Sequence, residues 1–502
     1  MKTKYLSILL LFASIGLSAQ TLTYDVARRR NLWNQSSNIA GLRKDSLSIA
    51  SAEAKVLYGQ GDYKSPDDGS SNFSAGASAS ALQHLPGLSL TGTFGFTNTE
   101  IEGACGSMSA RPGRFPVQIY EFTPGHKTRQ TYSISGGLAT DLGNFTLGLH
   151  INYLSENYTK RKDLRHTNYL LDMSIIPAIV WHAPALDLGL SLIFGKTAET
   201  ISAEELGISS GAYYAFLDKG LHYGVHNVWD NSLVHLSEAG VSGFPVSEYS
   251  TGVGLQLEAG SFFMEYKTLM DFGHIGEKPK IWYNYRSLKP VNLRLAYVLK
   301  GESADHYFYV DESLEMLENR ENILEDSSNN GVTTTINQGY RTIYNKLSNK
   351  LEMKWERLSH NGSFVNVSLA YTCENALARP AFPYFAEQKI DILALSSSAM
   401  FPLGKGFELR YDLLLSKGFL KENLDKVQSG LVPDFEPEHW SEHADWFNAF
   451  RIAPKADINI ALRYNLSNGL YFELAGGALS GAANTYFDNC RWNTALKIGY
   501  NF

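Results

Sequence analysis

The fold class this sequence predicts is all-β: a transmembrane antiparallel β-barrel of 14–18 strands, best read as 18. Three observations carry the prediction. Apolar and polar residues alternate over stretches of about 11–13 residues, the length that crosses a bilayer at a tilt. Short turns and long links take turns along the chain, as they do where one rim is periplasmic and the other extracellular. Finally, a short apolar leader opens the sequence, and no later run reaches the roughly 18 apolar residues of a helical span.

The leader comes first. Lys2 and Lys4 make a positive start, Tyr5 to Leu17 an apolar core of about 13 residues, and Leu17-Ser18-Ala19 a small-residue cleavage site before Gln20. Residues 1–19 are therefore expected to be a cleaved signal peptide, residues 20–50 a short N-terminal hatch or arm, and residues 51–502 the barrel. An exported chain without a helical span is either soluble in the periplasm or outside, or an outer-membrane barrel of a Gram-negative cell; the strand pattern favours the last.

The last strand shows the alternation most clearly. Cys490, Trp492, Thr494, Leu496, Ile498, Tyr500 and Phe502 share one parity, and Arg491, Asn493, Ala495, Lys497, Gly499 and Asn501 the other. The terminal aromatic pair Tyr500 and Phe502 resembles the C-terminal signal that outer-membrane barrels present to their insertion machinery, which makes that machinery an expected partner. Phe145–Tyr153, Val291–Leu299, Phe407–Leu415 and Ala456–Tyr464 alternate in the same way. Short turns are read at His84–Gly87, Thr140–Gly143, Trp181–Pro184, Pro402–Lys405 and Leu466–Asn468; long links at 99–128, 199–248, 301–346 and 419–452. The count of eighteen takes 279–288 and 290–300 as two strands and leaves 301–346 a loop, its acidic half (Glu302 to Asp326) able to form a short amphipathic helix.

Composition excludes other classes. With 44% hydrophobic and 19% charged residues the chain is not disordered, and a mean hydropathy of −0.19 is too low for a helical membrane protein. The net charge is −7; without Lys2 and Lys4, 42 basic residues face 51 acidic ones, giving −9. No nucleic-acid role is expected, because phosphate binding needs a positive field. Three distant cysteines (Cys105, Cys373, Cys490) do not make a disulfide framework.

Near the N-terminus stands Asn38-Ile39-Ala40-Gly41-Leu42. It is similar to the Asn-Pro-Ala-Gly-Leu segment of the long-chain fatty-acid transporter superfamily, with Ile39 in place of the usual Pro. The chain as a whole resembles an uncharacterised family of Gram-negative outer-membrane barrels. The resemblance implies a hatch motif at Asn38, Ala40, Gly41 and Leu42, folded into the lumen, and a passive diffusion channel. The other reading is a helical arm, Tyr24 to Trp33, at the periplasmic mouth.

Charged residues on strand parities must face the lumen, since each would cost about 2–4 kcal/mol against lipid near the midplane. Arg294, Lys350, Glu352, Lys354, Glu408, Arg410, Asp412, Asp457 and Arg463 are the candidate constriction, with Lys300, Glu356, Lys455, Glu473, Arg491 and Lys497 on the same face. Their mixed signs favour cross-strand ion pairs over a one-sign filter. His439-Trp440-Ser441-Glu442-His443 matches a zinc-protease spacing, yet it sits in a loop between strands, so His439 and His443 are weak metal candidates and no metal or cofactor is expected. No spacing singles out a catalytic triad or dyad, and no enzyme is read. The acidic run at 302–326 reads as a solvated face or a dock for a surface lipoprotein or cation, and the basic patch Lys160, Arg161, Lys162, Arg165 and His166 would meet that run or lipopolysaccharide phosphates. Two functions follow: a passive channel for small solutes with a constricted charged lumen, or a non-conducting barrel whose long loops hold a surface lipoprotein or an uptake or secretion complex.

Overall fold

Successive side chains of a strand point to opposite faces, so the alternation sorts residues into an outer and an inner set before any strand is paired. The computed structural model describes residues 29–162, 164–204, 213–229, 243–329, 332–380, 382–426 and 437–502. Among these described residues twenty strands form one sheet. The first seven are β1 (Ile49–Gly61), β2 (Ser71–Leu85), β3 (Leu88–Ser107), β4 (Gln118–Leu142), β5 (Phe145–Lys160), β6 (Arg165–His182) and β7 (Asp187–Glu204). A small hairpin, β8 (Tyr213–Asp218) and β9 (Gly224–Trp229), leaves the ring here and pairs with the outer end of β4.

The wall resumes with β10 (Phe244–Ala259), β11 (Phe262–Glu277), β12 (Lys280–Leu299), β13 (Ala304–Asn329), β14 (Val332–Ser359) and β15 (Phe364–Ala378). It ends with β16 (Phe385–Gly404), β17 (Phe407–Lys426), β18 (Lys455–Asn465), β19 (Leu470–Gly481) and β20 (Cys490–Asn501). Without β8 and β9, eighteen strands make the ring. All pair antiparallel, β7 meets β10, and β20 returns to β1 with Ser51–Gly61 facing Asn501–Arg491. Closure leaves no row of unpaired backbone groups toward lipid.

Phe94, Phe194, Ile460, Leu474 and Leu496 are exposed on the outer face. So are Cys373 and Cys490, both free thiols, as is the terminal Phe502, whose N–H donates to Ala50 O at 2.8 Å. The fold is that of an outer-membrane barrel. Glu312 takes the outward parity, in register with Leu293 and Leu351, and nothing in the structure explains it. The expected leader, residues 1–19, lies outside the described residues.

The count of eighteen arises from two compensating errors in the sequence reading. Residues 279–288 and 290–300 are one strand, β12, whose register slips by a bulge between Leu288 and Val291, around Pro290. The expected loop at 301–346 is instead a long hairpin, β13 and β14, entered by a short turn at 300–303. Its acids belong to a strand, not a helix, because cross-strand bases neutralise them: Glu318 with Arg286 (2.7 Å), Glu321 with Lys219 (2.5 Å) and Asp326 with Lys280 (3.0 Å). The other long links also shrink. β3 and β4 leave only 108–117 between them, and 419–452 contains the end of β17 and a helix, α1 (Pro437–Ile452).

Candidate functional site: the barrel lumen

The N-terminal segment 29–48 packs against inward-facing side chains at the end of the barrel where the short turns lie. It forms two short 3-10 helices, Leu32–Gln35 and Ile39–Lys44, each begun by an asparagine: Asn31 Oδ1 accepts from Trp33 N and Asn38 Oδ1 from Ala40 N. Asn38 is fully buried. Its Nδ2 donates to Ile179 O (3.0 Å), Leu190 O (3.3 Å) and Gln256 Oε1 (2.9 Å), so one carboxamide ties the segment to β6, β7 and β10. Ser37 N and Oγ both donate to Glu265 Oε1 (2.8 and 2.7 Å), and Trp33 Nε1 donates to Glu258 Oε2 (2.7 Å).

Trp33 and Leu42 are buried as well, each worth about 1.5–3 kcal/mol against leaving it wet. The motif glycine is required by this packing: a Cβ on Gly41 would stand 2.2 Å from Trp33 Cβ. The wall yields in the same way, since a Cβ on Gly189 would stand 2.7 Å from Asn38 Nδ2 and 2.8 Å from Trp33 Cζ3. Ion pairs fix the ends: Arg29 with Glu356 (3.3 Å), Arg43 with Asp141 (2.6 Å), and Lys44 with Asp187 (2.5 Å) and Glu258. Of the expected arm Tyr24–Trp33, residues 24–28 lie outside the described residues.

The nine candidate constriction residues take the inward parity, and most of their charge is spent locally. Arg294 holds Asp311 with two nitrogens (2.7 and 3.2 Å) and reaches Gln35 O at 3.4 Å. Lys350 pairs with Glu352 (2.8 Å), Lys354 with Glu356 (3.4 Å), Arg410 with Glu408 (3.4 Å) and Arg463 with Glu473 (2.7 Å). Glu408, Arg463, Glu473 and Lys497 follow one another in register, with the signs alternating from β17 to β20. Asp412 and Asp457 make no ion pair among the described residues. Polar space remains at several places along the lumen. A cavity of about 580 Å3 at the mouth touches Arg30, Lys44, Glu258 and Lys300; one of about 290 Å3 in mid-lumen touches Lys267, Arg294, Asp311 and Lys350. A third, of about 580 Å3, lies against β17–β20, β1 and β2.

At the other end the loops fold inward. Met108, Phe115 and Val117 are buried with Phe244, Trp282 and Tyr285. Helix α1 packs across: Trp446 Nε1 donates to Lys64 O (3.0 Å), Gln388 Nε2 to Asn448 Oδ1 (3.1 Å), and Arg451 pairs with Glu374. His443 Nε2 lies 3.2 Å from Asp67 Oδ1, with its ring against Tyr120 and His222. Burial alone would raise the Asp67 pKa, but His443 and the Ser107 N–H outweigh it and hold it below the usual carboxylate value. Burial pushes His222 down to about 3, helped by His443, and pushes Asp218 up to about 7. His443 thus serves as a contact between loops; the side chain of His439 lies outside the described residues, and no group of three metal-ligating residues occurs among those described. Two residues of the basic patch find partners away from the acidic strand. Lys160 is buried on Glu121 (2.5 Å) and Lys162 bonds Pro124 O (2.9 Å).

A family model described as a family of unknown function (DUF6850) matches residues 39–502, nearly the whole described chain. The chain belongs to this family. The likeness to the fatty-acid transporter superfamily that Asn38–Leu42 suggested is not shown by this match. No curated protein matches the sequence. Among solved structures, the FrpB iron transporter of Neisseria meningitidis (F5-1 variant) aligns at 10% identity over 93% of this chain and 84% of its own, TM-score 0.44. The ferric yersiniabactin uptake receptor FyuA of Yersinia pestis aligns at 8% over 91% and 80%, TM-score 0.39. The ferric-catecholate import receptor Fiu of E. coli K12 aligns at 7% over 91% and 82%, TM-score 0.40. At these values the likenesses say nothing of cargo.

In this DUF6850 chain the sequence reading missed the residues that receive the N-terminal segment: Gln256, Glu258 and Glu265. A signal was available, since Gln256 and Glu258 alternate with Leu255 and Leu257 on one strand, but only the ordinary lumen pattern was visible there.

Proposed function

We propose that this chain is a passive outer-membrane channel for small polar solutes, with residues 29–48 as a hatch that narrows the periplasmic half of the lumen and charged residues as a constriction. The observation that carries the reading is the segment's seat: Asn38, Ser37 and Trp33 spend their hydrogen bonds on inward-facing wall residues, while polar cavities of about 580 and 290 Å3 remain beside them. Mutually paired charges suit solutes without a strong net charge. Phe502 and Tyr500 act as the insertion signal.

The purified chain in planar bilayers is expected to give steady conductance. Silence, together with a stoichiometric partner surviving detergent extraction, would favour the docking reading. The observation on that side is the β13–β14 hairpin, whose strands of 26 and 28 residues far exceed the roughly 9–11 needed to span a bilayer.

A further inference from the structure

The wall from β17 through β18, β19, β20 and β1 to β2 encloses the third cavity, of about 580 Å3. One register row crosses it. Asp412 faces Asn459, Asn459 faces Gly477, Gly477 faces Asn493, Asn493 faces Gly59, and Gly59 faces Asn72. The glycines let carboxamides lie flat across the wall: a Cβ on Gly477 would stand 2.0 Å from Asn459 Oδ1, and one on Gly59 2.6 Å from Asn72 Oδ1. Neighbours hold the row. Asn459 Nδ2 donates to Asp457 Oδ1 (2.9 Å), Asn493 Nδ2 to Asn459 Oδ1 (3.4 Å) and Arg491 Nη2 to Asn72 Oδ1 (3.1 Å).

Hydrogen-bonding capacity is left over. Asn72 Nδ2, Asn493 Oδ1 and the Asp412 carboxylate have no partner among the described residues. Lys55 stands in register beside Lys497; Lys497 reaches Glu53 (3.5 Å) and Glu473 (3.3 Å), but Lys55 makes no ion pair among the described residues. The lining holds four bases (Lys55, Arg410, Arg491, Lys497) and four acids (Asp68, Asp412, Asp457, Glu473). A balanced set of charges offers an ion no net attraction. Donors and acceptors side by side suit hydroxyl groups, each of which can do both. The volume lies within the ~300–1,000 Å3 of small-molecule sites. From this we infer that the chamber binds a neutral polyhydroxylated solute, a short oligosaccharide, during its passage. The inference rests on the channel reading and names its solute class.

Calorimetric titration of the detergent-solubilised full chain tests it. The probes are neutral trisaccharides (maltotriose, raffinose, cellotriose), glycerol 3-phosphate as anion and diglycine as zwitterion. At least one trisaccharide is expected to bind saturably and the two charged probes not to. Asn459→Leu and Asn493→Leu should each weaken that binding about tenfold, the effect of losing roughly one hydrogen bond to the solute. Lys267→Gln, in the mid-lumen cavity, should leave it unchanged, and circular dichroism should show all three variants folded. Preference for a charged probe, no saturable trisaccharide binding, or binding indifferent to both Asn variants would overturn the inference. Binding without conductance would remove the channel and keep the chamber; conductance without binding would do the reverse.

Discussion

The two sides of this lumen use one construction for opposite ends. On the β6–β11 side, inward carboxamides and carboxylates (Gln256, Glu258, Glu265) are consumed by a segment of the same chain, and Gly189 makes room for it. On the β17–β2 side, a comparable row (Asn459, Asn493, Asn72) is braced by its neighbours and faces open space. Glycine marks both: in the first it admits side chains of the chain's own N-terminal segment, in the second it lays an amide flat and keeps the cavity wide. The difference between plug and chamber thus lies in what covers the wall, since the strands and their alternation are the same.

The contrast breaks most sharply at Gly189. A Gly189→Leu side chain would strike Asn38, Gln256 and Trp33, at an overpacking cost of about 1–3 kcal/mol. Tryptic cleavage after Arg43 or Lys44 should then rise about 5- to 150-fold. Gly136→Leu, at a position with open space around its Cβ, should leave the cleavage rate unchanged. Equal rates in the two variants would mean the segment is not held by that wall.

A second test bears on the outer cap above both sides. His222 has a folded pKa of about 3 against an ordinary 6.5, so the closed cap loses stability as pH falls through that window. Asp218 has about 7 against 3.8, so the closed cap loses stability as pH rises through that one. Between about 4 and 6.5 the slopes oppose, and the wild-type cap should be nearly indifferent to pH. Asp218→Asn should expose the first slope, loosening α1 on acidification, and His222→Gln the second, loosening it toward pH 7. Trp446 fluorescence reads both, because its indole is held on Lys64 O; parallel profiles in the two variants would contradict the assignment.

The smallest effect belongs to Lys55. Lys55→Gln removes one charge from a set balanced four to four, and the reversal potential under a salt gradient should move slightly toward cation selectivity, less than twofold in permeability ratio. A large shift would mean that Lys55 alone sets selectivity.

The barrel itself was legible because period-two patterning over bilayer-length strands has few other solutions; Arg491 to Asn501 against Trp492 to Phe502 is a face assignment in plain sight. β13 was not legible. Its acids make sense only beside Arg286, Lys219 and Lys280, which come from β12 and the β8–β9 hairpin, and no single-strand pattern shows a partner. Pro290 misled for a related reason: a bulge interrupts alternation as a turn would. The candidate charges could be read as one parity of their strands, yet the chamber was invisible, because the row from Asp412 to Asn72 exists only once six strands are in register.

Single-channel conductance with and without residues 29–48 tests the account most directly. The full chain should give small, steady currents, and the deletion currents several-fold larger through a wall that circular dichroism shows intact. Equal currents from the two proteins, or none from either, would contradict it.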